Sequence, residues 1–158
     1  MMKHQRGMTL VELLVASAIT ALVAGGVGPA IIQFMTVTDS TSDGLAALHD
    51  VRIATHWIAR DAHMAQTTDL VDGAPPVSAM ILEWTDRYAE GSVDHTSSYS
   101  LVGQELRRNY DGQVMVVARY VSSVEFSLVG RIITVRVASS VGRTSREGTA
   151  SFYLRPNG

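Results

Sequence analysis

A run of 26 consecutive uncharged residues, from Leu13 to Thr38, limits what this chain can fold into more than any other feature. As an α-helix with a rise of about 1.5 Å per residue it would be roughly 39 Å long, which is enough to cross a bilayer. The polar residues in the run are uncharged and can hydrogen-bond within or between helices, so they do not forbid insertion. Lys3 and Arg6 precede the run and Asp39 follows it. The positive-inside rule therefore predicts that residues 1–7 stay in the cytoplasm and that the C-terminal part crosses the membrane.

Length and composition restrict what lies beyond this helix. Of the 158 residues, about 120 remain after the apolar segment, which is enough for one small domain. The formal net charge of −2 provides no basic field for nucleic acid. The chain has no cysteine, which excludes disulfides, thiolate zinc sites and cysteine nucleophiles.

A secretory signal peptide is an alternative interpretation of the N-terminus. Ala16-Ser17-Ala18 resembles a small-x-small cleavage site after a short apolar run. Glu12 would then lie in the middle of the apolar core of that signal, and apolar sequence continues well beyond the supposed cut. Both features argue against a simple signal peptide.

Glu12 is the unusual residue of this segment. A carboxylate inside a membrane helix costs on the order of 2.5 to 3.5 kcal/mol on insertion scales, so it is expected to have a partner and a function. Cleavage after Gly7 would create an amine at Met8, four residues before Glu12, and an amine of a neighbouring chain could serve equally well. The alternative is that Glu12 is an interfacial residue at the membrane edge.

Residues 6–16, Arg-Gly-Met-Thr-Leu-Val-Glu-Leu-Leu-Val-Ala, resemble the processing site of type IV prepilins and type II secretion pseudopilins. The resemblance rests on a short basic leader, the Gly before the cut, Glu at the fifth mature position and the long apolar helix. It implies cleavage between Gly7 and Met8 by a membrane prepilin peptidase, N-methylation of Met8, and a role for Glu12 in docking during assembly. Met8 departs from the usual Phe at the first mature position.

Glycine and proline are concentrated in the middle of the apolar run. Gly costs about 1 kcal/mol and Pro about 3 kcal/mol relative to Ala in a helix interior. The sequence therefore predicts a helix break at this point, and the resemblance implies local melting there when a filament forms. The residues of this predicted break are Gly25, Gly26, Gly28 and Pro29. A proline-kinked membrane helix with small-residue contacts is a compatible alternative.

The remaining sequence predicts a helix on a sheet. Residues 39–44 are expected to be a polar interruption or an exposed helical turn, after which Leu45 to about Gln66 resumes a helical pattern. One apolar stripe recurs at spacings of three or four, at Leu48, Val51, Ala54, Ile58, Ala62 and Ala65. Strand-like segments follow at about residues 78–84, 97–102, 105–109, 113–119, 123–129, 132–138 and 149–154. Alternation around Gly130-Arg131 predicts a half-buried antiparallel hairpin.

Two further stretches resemble the J type of pseudopilins and the W type of minor pilins. One is Trp57-Ile58-Ala59-Arg60-Asp61-Ala62 at the end of the helix. The other runs from Tyr99 to Arg108 and continues at Val121-x-x-Val124-x-Phe126.

The polar residues outside the leader indicate no catalytic, cofactor or metal site. Three histidines recur every seven residues along one side of the helix, too far apart to share one metal ion: His49, His56 and His63. The acidic loop residues lack the spacing of a calcium loop, although a loop calcium site stays open: Asp69, Asp72, Asp86, Glu90 and Asp94. DNA capture would need the arginines to cluster on the surface: Arg107, Arg108, Arg119, Arg131, Arg136, Arg143 and Arg146.

We therefore expect an α+β pilin fold, in which a long N-terminal helix packs by its second half on an antiparallel sheet. The expected organisation is a leader at 1–7, a membrane and assembly segment at 8–38, and an external domain at 39–158. The resemblance implies a non-enzymatic minor pilin or pseudopilin that meets prepilin peptidase, other pilins and an inner-membrane assembly platform. Its expected location is the inner membrane and later the tip of a filament. The alternatives are a membrane-anchored ligand-binding or sensing domain, and a DNA-uptake pseudopilin.

Overall fold

The computed structural model describes residues 9–89 and 91–156, with the backbone alone described at residues 24 and 26–28. In this part of the chain one helix is followed by eight strands. The helix, α1, covers Leu10–Met64, and the strands are β1 Thr67–Thr68, β2 Ala79–Tyr88, β3 Gly91–Val102, β4 Glu105–Tyr110, β5 Gln113–Ala118, β6 Val121–Val129, β7 Ile132–Val141 and β8 Thr144–Tyr153. The chain divides into two compact units, Met1–Asp39 and Ser40–Gly158.

The described part of the first unit is helical from Leu10 onward. Its hydroxyl side chains hydrogen-bond back to carbonyls of the preceding turn, as for Ser17 to Leu14 at 2.9 Å and Thr20 to Ala16 at 2.8 Å. The hydroxyl groups of Ser17, Thr20, Thr36 and Thr38 are thus satisfied within the helix itself. Over the described residues, no helix combines the length and the apolar character needed for a membrane span.

The helix continues through the predicted break. Pro29 lies inside α1, and residues 25–29 are helical. Proline removes one N–H donor from the ladder, but helical turns lie on both sides of it. The interruption expected from the sequence is therefore not present in this structure. Residues 39–44 are likewise helical, as in the second of the two forms expected for them.

The second unit contains two antiparallel sheets. The first has the order β1-β2-β3-β4-β5 and the second has the order β6-β7-β8. The α+β class and the packing of the helix on antiparallel strands are confirmed, but the single sheet expected from the sequence is two. The chain changes sheet at Arg119-Tyr120, because β6 pairs with β7 instead of β5, and the Val121 N–H donates to the Gln104 carbonyl at 2.9 Å.

The core lies between one stripe of α1 and the inner faces of both sheets. The predicted stripe is buried, except that Leu48 is only partly covered and Ala47 is buried beside it. The predicted hairpin is confirmed as β6 and β7, whose alternate residues face the core: Val124, Phe126, Leu128, Ile133, Val135 and Val137. Burial of each such side chain contributes roughly 1.5–3 kcal/mol.

Two strands are longer than their sequence patterns predict. β2 continues to Tyr88 and β3 begins at Gly91, so the two form a ribbon beyond the part of β3 that β4 covers. Because β4 pairs only with residues 97–102 of β3, the outer ribbon has few buried positions. Without one buried face it does not show the alternation by which a strand is recognised in a sequence.

Candidate functional site

The start of α1 is closed by its own side chains. The Thr9 N–H donates to Glu12 Oε2 at 3.0 Å, and the Thr9 hydroxyl donates to the same oxygen at 3.1 Å. In return, the Glu12 N–H donates to Thr9 Oγ1 at 3.3 Å. This is a capping box, in which a threonine at the N-cap and a glutamate three residues later satisfy each other's orphan groups. In this structure, therefore, the Glu12 carboxylate stabilises the helix start. The Thr-x-x-Glu spacing from Thr9 to Glu12 is the signal by which this motif can be recognised in the sequence.

The first unit exposes apolar side chains on every side of the helix. Leu10, Val11, Leu13 and Leu14 are all at least 60% exposed, and at about 100° per residue they point in different directions around the axis. The pattern continues along the segment with Leu22, Val23, Ile31, Ile32, Phe34, Met35 and Val37. A helix that is apolar all round is typical of a segment buried in a membrane or among other helices.

Only some of the predicted N-terminal site residues lie in the described part of the chain. Gly7 and Met8, at the expected cleavage and methylation position, lie outside the described residues, as does the leader. Glu12, Gly25 and Pro29 are described and lie in α1, while Gly26 and Gly28 are described by backbone alone. A Cβ added at Gly25 would meet nothing within 4 Å. Cleavage and methylation at Gly7 and Met8, the assembly role of Glu12, and local melting near Pro29 when a filament forms all stay predictions.

Two buried charged residues of the second unit, Asp61 and Arg108, meet between α1 and the first sheet. Asp61 is 0% exposed, and its Oδ2 accepts hydrogen bonds from Ser97 Oγ and Tyr99 OH, each at 2.6 Å. Arg108 binds the same carboxylate through both oxygens, with Nε to Oδ2 at 2.6 Å and Nη2 to Oδ1 at 2.8 Å. One carboxylate on the helix thus connects to β3 and to β4. We call Asp61, Ser97, Tyr99 and Arg108 the Asp61 network.

The electrostatics of the Asp61 network favour one protonation state. Burial acts to lower the pKa of Arg108, but the hydrogen bond and the charge of Asp61 outweigh it, so the pKa of this guanidinium is raised. Burial, followed by the charge of Asp61, raises the pKa of Tyr99 well above its ordinary value. Arg108 also lies over the rings of Trp57 and Tyr110, at 5.2 Å and 4.5 Å from their centroids. Because its buried side-chain polar atoms are all partnered, the network is suited to fixing the helix on the sheet.

A second polar cluster surrounds His95 on β3. Its Nδ1 lies 2.7 Å from Asp111 Oδ2, and its ring stacks on Tyr110 with centroids 5.7 Å apart. The Asp111 Oδ1 also accepts the Thr96 N–H at 2.8 Å. That backbone bond, followed by the one from His95, lowers the pKa of Asp111. Asp111 has a φ of 47° and forms with Gly112 the two-residue turn between β4 and β5. The cluster therefore holds this turn against β3.

The carboxylates considered for calcium are engaged with protein groups. Asp69 accepts the Ile81 N–H at 2.7 Å, Asp72 accepts the Gly130 N–H at 2.7 Å, and Asp94 accepts the Thr85 hydroxyl at 2.7 Å. Glu90 lies outside the described residues. Across residues 9–89 and 91–156, no group of three His, Asp or Glu side chains is arranged to hold a metal ion. The three helix histidines are exposed.

The arginines proposed as a DNA surface are not all available. Arg108 is only 6% exposed and belongs to the Asp61 network, so its inclusion in a surface patch is wrong. Arg107 pairs with Glu105 at 2.8 Å, and Arg136 pairs with Glu147 at 2.7 Å. Arg131 donates to backbone carbonyls near the C-terminus. Of the four, one is thus buried and the others already bind protein acceptors.

An open cleft of about 490 Å³ lies beside the ribbon of β2 and β3. Charged and polar side chains form much of its lining, among them Glu83, Arg87, Asp94 and His95. Trp84 also lines it but is only 3% exposed, so it provides little apolar surface. Small-molecule sites are usually enclosed and mainly apolar, which this cleft is not.

Comparison with known proteins matches the N-terminus alone. No curated protein and no solved structure matches the chain. Residues 2–28 match the family model of the prokaryotic N-terminal methylation motif. The match includes Gly7, Met8 and Glu12, and it supports a type IV pilin-like precursor. The motif implies processing by prepilin peptidase and assembly with other pilins, and it points to a structural subunit rather than an enzyme.

Proposed function

We propose that this chain is a minor pilin or pseudopilin that assembles by its N-terminal helix into a type IV pilus or a secretion pseudopilus. The observation that carries the proposal is the methylation motif at residues 2–28, followed by a helix that is apolar on all sides. In this proposal residues 8–38 are stored in the inner membrane, and the domain at 39–158 lies outside the cytoplasm. Assembly then exchanges lipid contacts of the helix for contacts with other pilins.

Such an exchange needs more than apolar surface to drive it. Lipid tails are as apolar as leucine, so moving the helix from membrane to filament yields little hydrophobic free energy. A carboxylate in an apolar setting is different, because gaining an opposite charge there is worth several kcal/mol. We propose that Glu12 provides this directed interaction by binding the terminal amine of a mature subunit.

A place in a tip or initiation complex is supported by the two stretches that resemble J- and W-type subunits. Asp61 lies in the first stretch, and Tyr99 and Arg108 lie in the second. In the folded domain these three residues meet in the Asp61 network. The resemblance therefore rests on residues that act together, which favours this subgroup over a major pilin.

The proposal is tested by the N-terminus of the protein made in cells with an active prepilin peptidase. Intact mass and N-terminal sequencing should show a chain that begins at Met8, with a methylated amine and a formal charge of −4, from 11 basic and 15 acidic residues after Lys3 and Arg6 are removed. Gly7→Leu should block the cut, whereas Gln5→Leu, two residues away in the leader, should not. Cells with an inactive peptidase provide the second control.

Other outcomes favour the other functions. A chain that keeps residues 1–7 in the presence of the peptidase would indicate a membrane-anchored ligand-binding or sensing domain. A mature chain that begins at Ile19 would indicate a secretory signal peptide. Correct processing together with specific DNA binding by the mature subunit would place it in DNA uptake.

A further inference from the structure

Four strands form the edges of the two sheets, and three of them are protected. β1 has only two residues. β6 is covered by the segment that precedes β2, with backbone hydrogen bonds of 2.8 and 2.9 Å between Phe126 and Val77. β8 carries charged residues, Arg146 and Glu147, in mid-strand. Short length, covering and charge are the usual devices by which proteins prevent their edges from pairing with other chains.

β5 is the exception among the described strands. Its six residues, Gln-Val-Met-Val-Val-Ala, carry no charge and no proline. Val114 is 63% exposed, and Met115 and Val116 are nearly two-fifths exposed, so apolar side chains extend from both faces of the strand. A bulge opposite Leu106 and Arg107 affects only the end of the strand, and the register from Gln113 to Val116 is regular. The edge from Gln113 to Val116 is thus left open to pairing.

The direction of its free backbone groups follows from the hairpin register. Tyr110 and Gln113 close a two-residue loop, and such a closing pair exchanges hydrogen bonds. The backbone groups of Gln113 and Met115 therefore face β4. Those of Val114 and Val116 face away from the sheet. Two donors and two acceptors consequently point outward in a row, and an extended strand is the ligand that satisfies such a row.

The charge next to β5 defines one end of that ligand. Asp111, before the strand, is already bound to Thr96 and His95 on β3, whereas Arg119, after the strand, is exposed. Every neighbouring pair in this sheet is antiparallel. An added antiparallel strand therefore complements Arg119 if it begins with an acidic residue, and a basic residue at its other end keeps it neutral overall. Its centre faces the uncharged β5 and is itself uncharged.

A second copy of this chain does not fit that position, if the subunit is anchored as proposed above. Antiparallel pairing of β5 with itself needs a two-fold axis perpendicular to the sheet. That axis also reverses the helix lying on the sheet, so the two chains would enter the dimer from opposite sides. Subunits anchored in one membrane enter from the same side.

We infer that β5 is a strand-addition site for an extended segment of a different protein subunit, with an acidic start and an uncharged centre. The added segment pairs antiparallel with Val114 and Val116 and becomes the sixth strand of the first sheet. This interaction is separate from assembly through the N-terminal helix, because it uses backbone groups of the external domain.

The test uses the full mature chain in detergent micelles and a labelled probe peptide. The probe has capped ends and the order aspartate, three Thr-Val pairs, arginine, and its binding is followed by fluorescence anisotropy. Wild-type protein should bind it saturably. Val116→Pro should weaken binding at least tenfold, because proline removes an outward N–H without removing a bond to β4. A probe with its two charges exchanged should bind more weakly.

The matched control is Thr149→Pro in the other exposed edge strand. Val141 and Thr144 close the two-residue loop before β8, so the Thr149 N–H also points outward, and this variant should bind the probe like wild type. Circular dichroism checks that both variants are folded; Val116→Lys, which places a charge on the edge, should give the same loss if Val116→Pro is unfolded. Absence of saturable binding, or equal binding by the β5 variants and wild type, would overturn the inference.

A second measurement addresses the alternative occupant. The chain has no cysteine, so Met115→Cys introduces its only thiol, at the centre of the edge. Without peptide, this variant should remain free of disulfide-linked dimers under mild oxidation. Efficient dimers that disappear when Val116→Pro is added would identify a second copy as the occupant and contradict the assignment to a different subunit.

Discussion

Asp61 joins three elements through one side chain. It lies on α1, and its carboxylate accepts bonds from β3 through Ser97 and Tyr99 and from β4 through Arg108. A buried ion pair of this kind adds little net stability compared with apolar residues, but removal of one partner leaves the other charge buried. The Asp61 network therefore contributes mainly by favouring a single position of α1 on the first sheet, the one in which all its hydrogen bonds form.

We expect Asp61→Ala to lower the free energy of unfolding by about 3–5 kcal/mol, because it leaves the Arg108 guanidinium buried without its counter-charge. Tyr99→Phe should lower it by about 1.5–3 kcal/mol, since the carboxylate keeps its other donors. Ser100→Ala, on the exposed face of the same strand, should change it by less than about 0.5 kcal/mol. Urea unfolding of the three variants measures these differences. Equal effects of Asp61→Ala and Tyr99→Phe would contradict the role given to the unpaired charge of Arg108.

Glu12 has a structural role and a proposed assembly role, and two substitutions separate them. Glutamine keeps the capping box but removes the charge, whereas alanine removes both. If the charge directs docking, Glu12→Gln and Glu12→Ala should both be cleaved and membrane-inserted, and both should fail to join filaments. Cross-linking to sibling pilins provides the measurement. Normal assembly of Glu12→Gln would show that only the cap matters, and normal assembly of both variants would make Glu12 a membrane-edge residue.

Asp111 should make stability depend on pH. Hydrogen bonds from the Thr96 N–H and then from His95 lower its pKa in the folded state. Its contribution is complete above the ordinary aspartate pKa of about 3.9 and is lost as pH falls through the lowered value. Asp111→Asn still tolerates the positive φ of this turn but does not titrate. Below about pH 4, the melting temperature of wild type should therefore fall more steeply than that of Asp111→Asn; parallel curves would exclude Asp111 as the titrating group.

At the scale of elements, the close approach of α1 to the second sheet depends on a glycine. Gly148 lies in the middle of β8, and a Cβ built there would be 2.6 Å from Val51 Cγ1. Real Cβ atoms do not come this close, so a larger residue forces the helix or the strand to move. The absence of a side chain at Gly148 is thus a packing requirement.

Gly148→Ala should destabilise the domain by about 1–3 kcal/mol through overpacking. The double variant Gly148→Ala/Val51→Ala should recover part of this loss, because the side chain that the new methyl group meets is gone. Thermal melting of the two single variants and the double variant gives the coupling energy. Additive losses would show that the two residues do not compete for the same space.

At the scale of the whole molecule, we expect residues 40–158 to fold alone as a soluble monomer. This range is one of the two compact units, and it contains the whole core. About 120 residues without disulfides should have a free energy of unfolding near 5–15 kcal/mol. Ile58→Asp and Phe126→Asp should each unfold the fragment, because both positions are fully buried and the new charge would be unpaired.

Two exposed positions provide matched controls for these charges. Leu45 lies on the same helix as Ile58 and is 63% exposed, and Val129 lies on the same strand as Phe126 and is 67% exposed. Leu45→Asp and Val129→Asp should therefore leave the melting temperature nearly unchanged. Circular dichroism of the four variants tests the architecture. A disordered fragment, or equal tolerance of buried and exposed charges, would contradict helix-on-sheet packing.

Local patterns allowed several parts of the fold to be predicted. The apolar stripe of α1 and the alternation of β6 and β7 appear in the sequence because one face of each is buried and the other is not. The outer ribbon of β2 and β3 has no such difference between its faces, so the sequence predicts both strands shorter than they are. The short strand β1, only two residues long, has no pattern of its own.

The N-terminal candidate site could be recognised from the sequence alone, because a processing motif is a contiguous stretch of residues and does not require a folded domain for its recognition. The tertiary structure decided the roles of Asp61 and Arg108, the division into two sheets and the open edge at β5. These features join residues far apart in the chain, such as Asp61 and Arg108, 47 positions apart. Whether a carboxylate meets a buried guanidinium, or a strand has a neighbour, depends on which segments pack together, and no local pattern encodes that.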